Sequence, residues 1–499
     1  MFLLVKLSVL LLSSYIALNL YLFWKRRQYR HFASFPIPIS LKWFMGHLPN
    51  LRMKVKQFPT KNIPQILGEC HNELDAETVV FALFTVDLVL TLDLNIIPKL
   101  LTDRKAFQKR ETLRKRTGWC AGVRMFGNYG LVIDPGTDVW AAKRRIMDTA
   151  FTKSFLRTTM GGMNNVSDRL IEVLKTKAEC GQAFEISELL RKTTFEAISL
   201  CGFNWSEDMI KEHGEAALKM MRAFFDIMRL SIKNPMSLRI PWSRLAEKRN
   251  FKHAVIPMRK LNREYLEKIR EKAVGKENLL SYIIRANTCS DELTMEDVID
   301  DYNVLLVAGV EPTSTIMACA LWFISMDPHV YKKAKAEVDD VFGHNDQISF
   351  EDVQKLVYIE MIIKESMRLK GGRLGTARQC KTEATINEVY FPKGTQFLVL
   401  RHKLHVDKRY WKDPEIFDPE RFSPASIKNI RPYTYMPFST GPRSCIAKNF
   451  AILEMKVILA NVLRNFIVVN MNPEEKHLVM IGDVTTRPMD GVNVKVFQR

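Results

Sequence analysis

One cysteine near the C-terminus sharply narrows what this chain can build. Residues 438–447 read Phe438-Ser-Thr-Gly441-Pro-Arg443-Ser-Cys445-Ile-Ala447, and a helical pattern opens at about Lys448. Glycine lets the backbone pass close to a flat cofactor. An arginine two residues before the sulfur can neutralise an acidic substituent, and the helix start aims N–H groups and its positive dipole end at the thiol. Each of these favours thiolate over thiol, so the loop suits a cysteine bound to haem iron. The plain alternative is a buried structural cysteine in an ordinary loop. With 499 residues, 47% of them hydrophobic, the chain can enclose such a cofactor in two domains or in one large one.

The other cysteines, at 70, 120, 180, 201, 289, 319 and 380, form no C-x-x-C pair and no framework spacing. Neither a disulfide scaffold nor a zinc site is expected, and reduced thiols in a reducing compartment are. An uncharged, mostly apolar run over 7–24 follows Lys6 and precedes Lys25-Arg26-Arg27. As a helix from Phe2 it would span roughly 34 Å, enough to cross a bilayer. A cleaved signal is the competing reading, but no small-x-small site follows, and the basic flank places the rest of the chain on the cytosolic side. The expected organisation is an N-terminal transmembrane helix over 1–24, a basic and proline-containing hinge over 25–50, and a catalytic domain over 51–499.

The net charge of +19 is spread along the chain. No zinc finger, basic-leucine segment or aromatic-interleaved basic motif accompanies it, so nucleic acid is not the expected partner. A membrane-proximal surface or an acidic protein partner suits the charge better. Lys143-Arg144-Arg145, with Arg443, Lys448 and Lys456, would form the face that such a partner meets on the cysteine side.

Helical patterns dominate. The stretch 78–92 is rich in β-branched and aromatic residues and reads as two strands and a turn. From Trp140 to about Arg285 most windows are helical, with breaks at Asn234-Pro235 and Ile240-Pro241. A long helix opens at Thr294 with the box Thr294-Met-Glu-Asp297 and ends where Asp327-Pro328 stops it. A helix over 352–370 precedes short strands near 383–400, a meander over 406–437, the cysteine loop and a closing helix.

Several short motifs occur in a definite order. Glu365 and Arg368 are three residues apart and share one helix face. E-x-x-R alone carries nothing, since Glu111/Arg114, Glu188/Arg191 and Glu267/Arg270 repeat it. Here it is followed by Pro419-Glu420-Arg421-Phe422, which offers a second arginine to the same carboxylate, and then by the cysteine loop. Trp140 and Arg144 add an indole donor and a cation one helical turn apart. With these motifs the chain resembles the cytochromes P450, the haem-thiolate monooxygenases, over essentially its whole length. The resemblance implies the mainly α family fold with smaller β-sheets and haem b as cofactor, held between the long helix and the cysteine loop. Cys445 would be the axial iron ligand. Phe438 belongs to the same loop, and Trp140, Arg144, Arg378 and Arg443 would face the haem propionates. Glu365, Arg368 and Arg421 would form the ion network behind the loop. The segments 126–151 and 364–379 look most like the branch containing cholesterol 24-hydroxylase, then the fatty-acid ω-hydroxylases. A sterol or long-chain lipid substrate follows, with location at the endoplasmic reticulum membrane. The chain carries no glycine-rich dinucleotide fingerprint, so electrons from NADPH are expected through a partner flavoprotein reductase.

The long helix departs from the family pattern. Relatives typically carry a threonine after the acid, where it helps deliver protons; this chain reads Ala308-Gly309-Val-Glu311-Pro312-Thr313-Ser314. Pro312 has no N–H and leaves the carbonyl of Ala308 without its helical partner, so a kink and a groove are expected. Thr313 lies about 100° further round the helix than the lost threonine. Three readings stay open. Glu311, with Thr313 and water, relays protons for ordinary hydroxylation; the chain rearranges or dehydrates an already oxidised lipid without a reductase; or it binds a ligand at haem without turnover. Ala447 in the usual glycine position, and Lys370-Gly371-Gly372 in place of Pro-Pro, are lesser departures.

Overall fold

The computed structural model describes residues 2–27, 35–36, 53, 63–83, 86–110, 119–205, 207–233, 244–273, 278–291, 293–343, 345, 347–371, 375–475, 477–482 and 485–499. Helices dominate, with five small sheets among the described residues. Chain contacts divide the protein into two units, one of residues 1–110 with 375–403, the other of 111–374 with 404–499.

The smaller unit holds the N-terminal helix Phe2–Arg27 and a five-stranded sheet. Thr78–Leu83 and Val86–Thr91 pair antiparallel, as their β-branched composition leads one to expect. The turn between them falls on 84–85, outside the described residues. The next strand, Gln396–Val399, runs parallel to Val86–Thr91, followed by Thr376–Cys380 and the short Phe107–Gln108. Phe397, fully buried, stands in register with Val89 and with Arg378. Most of the hinge expected over 25–50 lies outside the described residues; Pro36 accepts a hydrogen bond from Val80 N at 3.3 Å.

The larger unit is built round the helix Met295–Met326, which is buried along most of its length. Its start is capped as the sequence predicts, with Thr294 N donating to Asp297 at 2.9 Å. Asp327 ends it and, through His329 N at 2.8 Å, caps the helix Pro328–Phe342. Pro312 does not interrupt it. This helix passes the length and apolarity test for a membrane span, but 83% of its apolar window is covered by protein, and it is a core helix. The N-terminal apolar stretch with described side chains, Lys6–Tyr21, is shorter than that test requires.

One expected helix is two. The pattern over 352–370 divides into Phe350–Lys355 and Val357–Lys370 at Leu356, whose ψ of 73° leaves the helical region. The break is stabilised from elsewhere: Glu337 accepts hydrogen bonds from Tyr358 N at 2.6 Å and Ile359 N at 2.9 Å, capping the second helix with a side chain of its neighbour. Helices Glu207–Lys233 and Leu245–Ala273 flank the proline breaks expected near 235 and 241, which lie outside the described residues.

Candidate active site

The cysteine loop is shaped by its own backbone. Cys445 N donates to Phe438 O at 2.9 Å and Ser444 N to Gly441 O at 3.0 Å, closing two nested turns. Gly441 takes φ 74°, a left-handed value that favours glycine. Ala447 has φ −94° and ψ 20°, ordinary for alanine, so its replacement of a glycine carries no strain. Its carbonyl accepts from Ala451 N at 3.0 Å and starts the helix Lys448–Asn465, whose capping residue therefore lies two residues beyond Cys445.

Three side chains from the expected set gather at this loop. Arg144 donates to Ser444 O, next to Cys445, at 2.9 Å, and pairs with Asp148 at 2.7 Å. The Arg443 guanidinium stacks on the Trp140 ring at 3.5 Å and donates to Asp134 O at 2.8 Å. Gly136 makes room for it, since a Cβ there would lie 3.1 Å from Arg443 Nη2. The Trp140 indole donates to Leu131 O at 3.1 Å. The segment 129–137 that supplies these carbonyls is fixed from its other side by the long helix. Asp301 accepts from Leu131 N at 2.7 Å and pairs with Lys143 Nζ at 2.5 Å, both side chains almost wholly buried. Lys143 also donates to Tyr129 O at 2.9 Å.

Behind the loop, Glu365 and Arg368 form a bidentate pair at 2.7 Å on both arms, with neither side chain exposed. Arg368 spends its remaining donors on the carbonyls of His405 at 2.8 Å, Pro414 at 2.7 Å and Ile416 at 3.2 Å, which ties the meander down. Arg421 joins as an ion pair at 3.4 Å, and Asp418 N donates to Glu365 at 3.0 Å. Burial first, and then the charge of Glu365, hold the Tyr435 phenol well above its ordinary value, so it stays a neutral donor to Lys364 O at 3.0 Å. His405 accepts from Met436 N at 3.0 Å, which is a structural role.

On the long helix, Ala308 is exposed and Gly309 and Pro312 half-buried, a strip of one face between buried turns on either side. Glu311 points away from that strip to Arg191, 2.9 Å from its Nε, and Arg191 also pairs with Glu188, which in turn pairs with Arg222. Thr313 is buried, and no hydrogen bond joins it to Glu311. Arg191 was missed from sequence, where Glu188/Arg191 is one of several uninformative E-x-x-R pairs.

The basic face expected for an acidic partner is corrected by burial. Lys143 is consumed by Asp301 and Lys456 by Glu360 at 3.0 Å, while Arg144 and Arg443 hold the loop. Arg145 and Lys448 are the exposed cations left from those runs.

A family profile described as cytochrome P450 matches residues 36–495. The chain belongs to the cytochrome P450 family. Its members are monooxygenase oxidoreductases that use haem. Among curated relatives, cytochrome P450 3A9 of Rattus norvegicus is 27% identical over 66% of this chain and 67% of its own length. Cytochrome P450 4V2 of Rattus norvegicus is 35% identical over 42% of this chain and 40% of its own. Lithocholate 6-beta-hydroxylase of Mesocricetus auratus is 27% identical over 75% and 78%. The haem domain of a cytochrome P450DA mutant superposes with a TM-score of 0.78 at 23% identity, covering 93% of this chain and 98% of that one, which shows the cytochrome P450 fold.

The residues present fit a haem. Arg378, on a strand of the smaller unit, is a buried guanidinium whose Nη1 donates to the neighbouring Ala377 O at 2.9 Å and whose Nη2 has no partner among the described residues. Burial lowers its pKa to about 10. Cys445 at a helix start beside Arg443 and Arg144 is a donor set suited to an iron–thiolate bond.

Proposed function

We propose that this cytochrome P450 hydroxylates a lipophilic substrate, a sterol or long-chain lipid, using O2 and electrons passed from NADPH by a partner reductase at the endoplasmic reticulum membrane. The observation that carries the reading is Cys445, set at a helix start in a loop fastened by Arg144 and backed by the buried Glu365–Arg368 pair. Haem held there by the Cys445 thiolate supplies oxygen activation, because the thiolate pushes electron density toward O–O cleavage. Trp140, Arg144, Arg378 and Arg443 would take its propionates. Each also has a protein carbonyl to bond, which keeps it placed. The sterol or lipid assignment is supported by the segments 126–151 and 364–379 and by a relative whose name says it acts on lithocholate. The apolar helix Phe2–Arg27 with its basic end supports the membrane assignment.

Proton delivery falls to Glu311. Arg191 holds one of its carboxylate oxygens at 2.9 Å, and the other has no protein partner among the described residues. The acid is thereby held on the neighbouring face of the same helix turn, and water at the carbonyl freed by Pro312 would have to link it to the Ala308–Pro312 strip. Thr313, buried and unconnected to Glu311, contributes less than the resemblance suggests. Pro312 also supports a second reading, rearrangement of an oxidised lipid, which needs no delivered protons. The deciding experiment gives the holoprotein reductase, NADPH and a sterol and fatty-acid panel, beside lipid hydroperoxides without reductase. Hydroxylated product that depends on reductase supports hydroxylation. Turnover of hydroperoxides alone supports rearrangement.

A further inference from the structure

The larger unit encloses a second feature next to Glu311. The hairpin Met480–Ile481 with Arg487–Pro488, the helices Ile186–Ala197 and Glu207–Lys233, and the Glu311 turn line a cavity of about 220 Å3. Three arginines stand in its wall. Arg191 is shared by Glu311 and Glu188, and Arg222 is paired with Glu188. Arg487 is half-buried, and no hydrogen bond or ion pair joins its guanidinium to another of the described residues. Asp226, also in the wall, is engaged in an interaction of its own. The remainder of the lining is mainly apolar, with Met221, Phe225 and Ile481.

We propose that Arg487 anchors the carboxylate of an acidic amphipathic lipid, the substrate class of the site described above. The inference deepens the proposed monooxygenase reading and rests on it. A half-buried cation without an anion favours a ligand that brings one, and a planar guanidinium matches a carboxylate through two parallel hydrogen bonds. Arg191 and Arg222 are already matched by Glu311 and Glu188, so one negative charge fits at Arg487 and the second charge of a phosphate dianion would face Glu311 and Asp226. Whole-ligand pockets usually measure about 300–1,000 Å3, so this smaller cavity suits the head of a lipid whose chain continues beyond it. Met221 and Phe225 then line the first methylenes.

The test is equilibrium binding to the full-length holoprotein, read by dialysis of labelled ligand and, in parallel, by the ligand-induced shift of the haem absorption band. Probes are hexadecanoic acid, hexadecanol and hexadecyl phosphate. A charge-assisted pair predicts that the acid binds about tenfold to hundredfold tighter than the alcohol. That preference should vanish in Arg487→Leu and largely survive in Arg487→Lys, with haem content unchanged in both. Equal binding of acid and alcohol to wild type, an unchanged preference in haem-loaded Arg487→Leu, or tighter binding of the phosphate than the acid would each overturn the proposal. If Arg487→Leu loses haem, the acid-to-alcohol ratio of Arg487→Lys and wild type decides alone. An Arg487-dependent preference seen by dialysis without any shift of the haem band would uphold the anchor and count against the haem-site reading on which the substrate assignment rests.

Discussion

At the scale of single residues, the site is a set of charges with fixed partners, and breaking one partner exposes the cost. Glu365→Gln leaves Arg368 buried beside a neutral amide. Unfolding of the holoprotein in urea should show a loss of about 3–5 kcal/mol with faster haem release; an unchanged midpoint would mean that the pair is dispensable. Pro312→Thr restores a hydroxyl and an N–H to the long helix. In a reductase assay it should raise the share of NADPH electrons recovered as product and lower peroxide, whereas no change would show that Glu311 and Arg191 already suffice. Much of this chemistry was legible in sequence because it is local. Phe438 to Ala447 closes on itself, and Glu365 and Arg368 meet on one helix face. Arg191 was not legible, because its choice of Glu311 is made by packing between residues 120 positions apart. Met221 and Phe225 belong to the cavity wall, while Met220 and Met228 are core, a division that one helical stripe does not reveal.

At the scale of elements, the long helix and the cysteine loop are tied through the segment 129–137. Asp301 grips Leu131 N, and Leu131 O accepts from Trp140, on which Arg443 stacks. Removing either Lys143 or Asp301 strands the other charge in the core. A double-mutant cycle of Lys143→Met and Asp301→Asn should therefore show a coupling of about 2 kcal/mol or more in holoprotein stability. The cysteine helix holds a different device. Glu454 is fully buried, and burial pushes its carboxyl well above the ordinary value of 4.5. Its folded-state pKa is raised, so its contribution to stability is complete below the unfolded value and is lost as pH rises toward the folded one. Glu454→Gln should thus unfold at a higher temperature than wild type near neutral pH, with the gap closing below about pH 4. A gap that is constant with pH would mean that Glu454 does not titrate differently on folding. Element boundaries were legible where caps are local, as at Thr294 and Asp327. They were missed at Leu356, where the cap comes from Glu337 on another helix.

At the scale of the whole molecule, the order of motifs carried the family and burial revised the surface. The charge of +19 suggested a broad docking face, yet its central lysines, 143 and 456, are internal ion-pair partners. A charge run read without its partners overstates what solvent sees. The helix Phe2–Arg27 makes a separable prediction: protein lacking residues 2–27 should leave the membrane fraction and keep its haem spectrum, and continued membrane retention would move the anchor elsewhere. The claim on which everything else depends is that Cys445 ligates iron as a thiolate. Its most direct test is the absorption spectrum of the reduced, carbon monoxide-bound holoprotein, recorded beside Cys445→His. Wild type should show the red-shifted band of a thiolate-ligated haem and the variant should lack it; a well-folded, haem-loaded wild type with the same short-wavelength band as the variant would contradict thiolate ligation.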